Sequence, residues 1–248
     1  MTTGRNGSTM PDYFRRRTLE VYLLPNCDFH EIDALQQRLA YEVGEPPQNR
    51  AFLVLTEHSP FVTIGRQGSR GHLRFDPEAP GAPAVRWTAR GGGAWLHGPG
   101  QLAAYPIVPL HPKEFGIERY RTALHETLIE TLAEFQIPAW HDAKNGGITA
   151  GGRQIATIGF AVRNWVTTYG CALNVMLPPD RDELIQSNPR VSDRLETCML
   201  RERLLPVRAG ALRESLVRNF AAAMGFGETL LCPPPPARPR MRKHVAAR

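Results

Sequence analysis

Apolar and polar residues recur along the chain with two periods, one near two and one near 3.6, and these divide it into strands and helices. Residues 18–24 alternate apolar and polar positions and stop at Pro25, which predicts a strand. Over residues 28–43, Ile32, Leu35, Leu39 and Val43 fall three and four apart, the spacing of one helical face. Gly44 is placed to end that helix, with Pro46 and Pro47 beyond it. Residues 50–57 are short, apolar and β-branched, as a buried strand is; Ser59 and Pro60 turn the chain, and 61–65 resume as a second strand. Residues 68–83, polar and rich in glycine and proline, predict a loop. Residues 85–89 predict a strand running into Gly91, Gly92 and Gly93.

The clearest helix is predicted over 118–135. Leu124, Leu128, Ile129, Leu132 and Phe135 share one face, Glu118, Arg121, Glu126 and Glu130 face water, and Pro138 lies beyond the end. Residues 155–162 and 166–177 predict two strands joined as a hairpin through Asn164 and Trp165. A last helix over 209–224 buries Leu212, Leu216, Val217 and Phe220 and is closed by Gly225. Strands and helices mixed without strict βαβ alternation predict an α+β (mixed α/β) domain with an antiparallel or mixed sheet.

The chain has 248 residues and no internal repeat, which predicts one domain, placed over residues 18–226. Before it, segment 1–17 carries Arg15, Arg16 and Arg17 and reads as disordered; after it, 227–248 reads as a Pro/Arg-rich tail. From Pro233 the tail runs PPPPARPRMRKHVAAR, a composition that cannot supply a core and suits a solubilising tail or a binding arm. Apolar runs such as 51–55 and 155–162 are too short to cross a bilayer, and the start lacks an apolar signal core, so the expectation is a soluble, cytoplasmic protein. Cys27, Cys171, Cys198 and Cys232 show no paired spacing and read as free thiols. A formal charge of +6 favours acidic partners, whether nucleic acid, anionic lipid or acidic carrier proteins.

Candidate chemistry concentrates in residues 90–106, RGGGAWLHGPGQLAAYP. Gly91, Gly92, Gly93, Gly98 and Gly100 let main-chain N–H groups approach a carbonyl, carboxylate or phosphate without side chains in the way. Neither a Walker A loop nor a GxGxxG turn is present. His97 can donate to an acyl oxygen or orient an amine there, although a lone histidine is more often structural.

The run RGG, four further residues, HGPGQL and then YPI resembles the signature loop of octanoyltransferases, enzymes that move an octanoyl group from acyl carrier protein to a lysine of a lipoyl domain. Three further stretches resemble that family in order and spacing. Glu57, His58, Ser59 and Pro60 precede Thr63, Ile64, Gly65 and Arg66; Gly147 and Ile148 precede Ile155, Ala156, Thr157, Ile158 and Gly159; Trp165, Val166 and Thr167 precede Gly170, Ala172, Leu173, Asn174 and Val175. Tyr169 stands where the last pattern has histidine. The resemblance spans residues 18–226 and implies the fold of biotin and lipoate protein ligases, a mixed sheet with packed helices. It maps acyl contacts onto Arg90, Gly91, Gly92, Gly93, Ala94, Trp95, Leu96 and His97, onto Thr157, Ile158 and Gly159, and onto Gly170, Cys171 and Ala172. ATP-using relatives carry a different glycine loop, so the resemblance implies no cofactor, nucleotide or metal. The partners it implies are octanoyl-acyl carrier protein and lipoyl domains of 2-oxoacid dehydrogenase complexes or glycine cleavage H protein, with neither nucleic acid nor membrane.

The chain departs from the family at two reactive positions. The family works through a cysteine thioester with a neighbouring lysine, because a lysine both lowers the thiol pKa and takes the incoming amine's proton. The lysine position, three before Thr157, holds Gln154, next to Arg153; the cysteine position, in the turn Ser187, Asn188, Pro189, holds Arg190. Three readings follow. Cys198 or Cys171 serves as a substitute nucleophile; or the acyl group passes directly to the lysine with glycine N–H groups and arginine holding the oxyanion and His97 as base; or the protein binds an acyl or lipoyl group, or its carrier, without turnover.

Overall fold

The computed structural model describes residues 14, 16–45, 49–143, 146–178 and 196–234. Their strands are β1 (Thr18–Leu23), β2 (Arg50–Thr56), β3 (Phe61–Ile64), β4 (Ala84–Trp87), β5 (Ala94–His97), β6 (Gln101–Ile107), β7 (Ala139–His141), β8 (Ile148–Ala150), β9 (Arg153–Arg163), β10 (Val166–Asn174) and β11 (Glu228–Cys232). Their helices are α1 (Phe29–Gly44), α2 (Ile117–Glu134), α3 (Met199–Arg203) and α4 (Ala209–Met224).

Eight strands form one mixed sheet in the order β11-β1-β2-β6-β10-β9-β8-β7. β1 is parallel to both its neighbours, and the pairings from β2 through β6 and β10 to β9 are antiparallel. A smaller sheet, β4-β3-β5, carries the glycine-rich segment. Strand alternation sends side chains to opposite faces of the large sheet, and both faces are covered. Leu53, Leu55, Leu102 and Ala104 pack with Leu124, Leu128 and Leu132 of α2 and Leu212, Leu216 and Phe220 of α4. Their neighbours in sequence, Phe52, Val54, Ala103 and Tyr105, pack on the other side with Ile32, Leu39 and Val43 of α1.

Local chemistry sets the ends of these elements. Asp28 caps α1, its carboxylate accepting the His30 N–H at 2.7 Å. Gly225, at φ 83, ends α4 where the periodicity predicts it, with the Gly225 and Phe226 N–H groups returning to Ala221 O. The predicted hairpin is present: Asn164 and Trp165 both adopt positive φ, 50 and 61, as a two-residue turn between right-twisted strands requires. The predicted loop over 68–83 contains a short 3-10 turn, Arg70–His72.

Several elements differ from the sequence reading. The glycine-rich stretch holds two strands, β5 and β6, because its apolar residues pair with β3 on one side and with β2 and β10 on the other. Glu228–Cys232, placed in the tail by composition, lies parallel to β1; main-chain bonding to an edge holds it even though most of its side chains are exposed. Phe14, within the segment expected to be disordered, is fully buried; its ring packs edge-on against Phe115 at 4.7 Å and tilted against Phe226 at 4.8 Å. Burying one such ring contributes about 2 kcal/mol. Among the described residues no helix is long and apolar enough to cross a membrane.

Candidate active site

A narrow cleft opens where the small sheet meets β9 and β10, in front of α1. The space within its walls is small, ≈ 20 Å³, and reaches ≈ 300 Å³ only when the open mouth is counted. Arg90, Trp95 and His97 reach it from the glycine-rich segment, Gly159 from β9, and Gly170, Cys171 and Ala172 from β10. Alternation explains the selection within β5: Trp95 and His97 face the cleft, whereas Ala94 and Leu96 pack into the small sheet's own core with Val62 and Ile64. Thr157 and Ile158 stay in the strand beside the lining. Thr157 is paired with Ala172, and Ile158 packs against the main core.

Arg90 is the electrostatic centre of the wall. It is 2% exposed and pairs with no carboxylate among the described residues. Its Nε and Nη2 donate to the Thr63 hydroxyl at 3.1 and 2.6 Å, Nη2 also to Thr63 O and Gly93 O, and Nη1 to Gly91 O at 2.8 Å. The guanidinium carbon lies 3.6 Å from the centre of the Trp95 ring. Burial lowers its pKa to about 9, still far enough above neutrality to keep the charge.

The glycines chiefly allow close packing. A Cβ on Gly159 would lie 2.4 Å from Trp95 Cη2 and 2.7 Å from Gly91 O, so only glycine lets β9 approach the loop. The Gly91 N–H donates to Phe160 O at 3.1 Å and the Gly92 N–H to the Gln67 side chain, so these two donors are engaged inside the loop.

His97 is 6% exposed and stacks on Phe61 with ring centroids 4.6 Å apart. Its Nε2 lies 2.9 Å from the Thr63 hydroxyl and its Nδ1 3.1 Å from Gln101 Oε1. Tyr169, at φ 57, sits in a conformation unusual for a side chain of its size. Its N–H donates to Gln36 and its hydroxyl to Asp33, so both tethers come from α1. Burial, reinforced by Asp33, pushes its phenol up to about 12.

Of the residues proposed to carry proton or acyl transfer, His97 and Cys171 border the cleft, whereas Gln154, Arg153 and Cys198 do not. Gln154 is buried, donates to Ala156 O at 3.5 Å, and receives the Thr197 N–H at its carbonyl. Arg153 is bonded to Glu202 at 2.8 Å. The Cys171 side chain packs with Ala104 and Leu173 in the core on the α2 and α4 side, and burial pushes its thiol up to about 12. Cys198 is 1% exposed and precedes α3, outside the cleft lining. Arg190, with Ser187, Asn188 and Pro189, lies outside the described residues.

Phe29, Thr63, Ala103, Tyr105 and Tyr169 also line the cleft, and the sequence reading assigned them no contact. Thr63 and Tyr105 fall inside the quoted motif stretches, so their presence there was the available signal. Phe29 comes from α1, and nothing local connects it to the glycine segment.

Residues 28–221 match the model of the lipoyl protein ligase A/B catalytic domain. Similar curated proteins include an octanoyltransferase of Geobacter sulfurreducens, 38% identical over 159 residues that make up 63% of this chain and 64% of that protein. Another is an octanoyltransferase of Cellvibrio japonicus, 33% identical over 193 residues, 77% of this chain and 86% of that protein. The chain thus spans somewhat under two thirds of the first relative and most of the second. Among solved structures, a bipartite lipoate protein ligase from Thermoplasma acidophilum, studied with its E2 lipoyl domain, superposes with a TM-score of 0.69 at 15% identity over 88% of each chain. Lipoate-protein ligase A bound with ATP gives 0.66 at 17% identity, covering 89% of this chain and 90% of that one. At these identities the structural likeness establishes the fold.

Proposed function

The chain belongs to the lipoyl protein ligase A/B catalytic-domain family, on its octanoyltransferase side, and on that premise we propose that it transfers an octanoyl or lipoyl group from acyl carrier protein to a lysine of a lipoyl domain. The observation that carries this reading is the Arg90 guanidinium, buried without a carboxylate partner among the described residues in the wall of a narrow and largely apolar cleft. An acyl chain suits the apolar lining, and a fixed buried cation stabilises the oxyanion that forms when a thioester carbonyl is attacked.

The transfer replaces a C–S bond with a C–N bond. The lysine amine adds to the carbonyl carbon, the tetrahedral oxyanion collapses, and the carrier thiolate leaves, taking up in balance the proton the amine gives away. The acceptors are lipoyl domains of 2-oxoacid dehydrogenase complexes or glycine cleavage H protein, and the formal charge of +6 over the whole sequence favours such acidic partners.

A second reading, acyl or carrier binding without turnover, is favoured by Gln154, which cannot exchange a proton near neutral pH, and by Cys171, whose side chain lies in the core with its thiol held up to about 12. The test is incubation with octanoyl-acyl carrier protein and an unmodified lipoyl domain, followed by intact mass of both proteins. An octanoylated lipoyl domain supports transfer. Binding of the loaded carrier with no product supports the second reading, and neither binding nor product rejects both. A covalent adduct on the chain that survives in Cys171→Ser but not in Cys198→Ser assigns the nucleophile to Cys198.

A further inference from the structure

One buried chain of hydrogen bonds crosses the site, and its direction is settled at both ends. At one end Asn174 Nδ2 donates to the carbonyl of Thr197 at 3.1 Å, and a carbonyl can only accept. Asn174 therefore offers Oδ1 to Gln101, whose Nε2 donates to it at 2.9 Å. This leaves Gln101 Oε1 facing His97 Nδ1 at 3.1 Å, and that nitrogen must carry the proton. At the other end Arg90 can only donate, and it places Nε and Nη2 on the Thr63 hydroxyl oxygen. With its oxygen so occupied, Thr63 directs its own proton to His97 Nε2, 2.9 Å away. The two ends lead independently to one tautomer, with Nδ1 protonated and Nε2 accepting.

We propose that His97 is a positioning residue rather than an acid or base: it is held as the neutral Nδ1–H imidazole and, by accepting the Thr63 hydroxyl, keeps Thr63 and Arg90 in the cleft wall. Adding a proton at Nε2 would turn that nitrogen against the Thr63 hydroxyl, which already receives two bonds from a cation. His58, a titratable neighbour, stands with its ring centroid 6.2 Å away and would add a repulsive charge if protonated. The members are all buried: Thr63, Arg90 and Asn174 are each 2% exposed, Gln101 4%, and Thr197 fully buried. Water therefore has little access to substitute for a broken link, and the polarity is preserved. The chain also ends beside Gln154, whose carbonyl receives the Thr197 N–H at 2.9 Å, so it spans from the cleft to the strand that carries the family's lysine position.

The kinetic consequence deepens the acyl-transfer reading and rests on it, whereas the tautomer does not. The experiment has two arms. Long-range proton–nitrogen correlation spectra of the full chain labelled with 15N-histidine, with His97 assigned by its loss in His97→Gln, distinguish both neutral tautomers and the imidazolium. The expected result is the neutral Nδ1–H form at neutral pH. An Nε2–H form, or an imidazolium at neutral pH, overturns the proposal whether or not the protein turns over. In the second arm His97→Gln, which can still accept the Thr63 hydroxyl but cannot carry a proton, is compared with His97→Leu. Positioning predicts transfer about tenfold faster in the glutamine variant than in the leucine variant. Equal losses of about 10² or more in both would identify an acid or base and overturn it. If the wild type makes no product while the spectra show the expected tautomer, the acyl-transfer reading fails and the positioning inference stands.

Discussion

The Tyr105 hydroxyl lies 2.7 Å from Nε2 of His58, and the opposite ring nitrogen of His58 lies 2.8 Å from the carbonyl of Cys27. Since the carbonyl only accepts, Nδ1 of His58 is the donor, and the neutral ring receives the Tyr105 proton at Nε2. Burial lowers the His58 pKa below its ordinary 6.5, more than the Cys27 carbonyl and Asp28 raise it. In the window between the lowered value and 6.5 the unfolded chain binds more protons than the folded one. Stability is therefore full above about pH 6.5 and falls as the pH drops toward the folded value. Urea denaturation over a pH series should show this slope, and His58→Gln should make it shallower. An unchanged slope in the variant would assign the acid sensitivity elsewhere, with His125, whose pKa burial also lowers, as the next group to replace.

Gly159 is where cleft shape depends on a missing side chain. In Gly159→Ala the new methyl group would have to displace the Trp95 ring, whose Cη2 lies 2.4 Å from the position it takes. Because Trp95 also stacks on Arg90, the guanidinium shifts with it. The expected outcome is a kcat/KM lower by about 10²-fold with the circular dichroism spectrum retained. Full activity in this variant would mean that the acyl group does not use this cleft.

Cys171 should be chemically silent in the folded protein. With its thiol pushed up to about 12, only about one molecule in ten thousand carries a thiolate at pH 8. Peptide mass analysis after brief iodoacetamide treatment should find Cys171 unmodified, and modified once the chain is unfolded in denaturant. Rapid native labelling would return it to consideration as a nucleophile.

Leu204 caps α3 at φ 58 while 83% exposed, so it bears a left-handed backbone with almost no burial in return. Leu204→Gly should remove that strain and stabilise the protein by about 1 kcal/mol, offset only partly by the added freedom of the unfolded chain. The corresponding rise in Tm is about 2–4 °C. A lower Tm would indicate that the leucine side chain makes contacts that compensate for its backbone.

What the sequence determined alone is the set of elements whose signals are local. The helices now seen at Phe29–Gly44, Ile117–Glu134 and Ala209–Met224, and the hairpin turn at Asn164 and Trp165, follow from periodicity, caps and breakers that lie within a few residues of each other. The order of motifs around Arg90, Gly159 and Gly170 likewise marked where the cleft would form. Tertiary structure decided the rest, because the deciding partner is distant in sequence. Gln101 meets Asn174 across 73 positions and His97 meets Thr63 across 34, so no local pattern could orient that imidazole. Strand β11 is ordered by the main-chain edge of β1, to which its side-chain pattern gives no clue. Cys171 borders the cleft, yet the alternation of one strand turns its side chain into the core with Ala104 and Leu173, a difference in environment that exists only once β10 is buried on both faces.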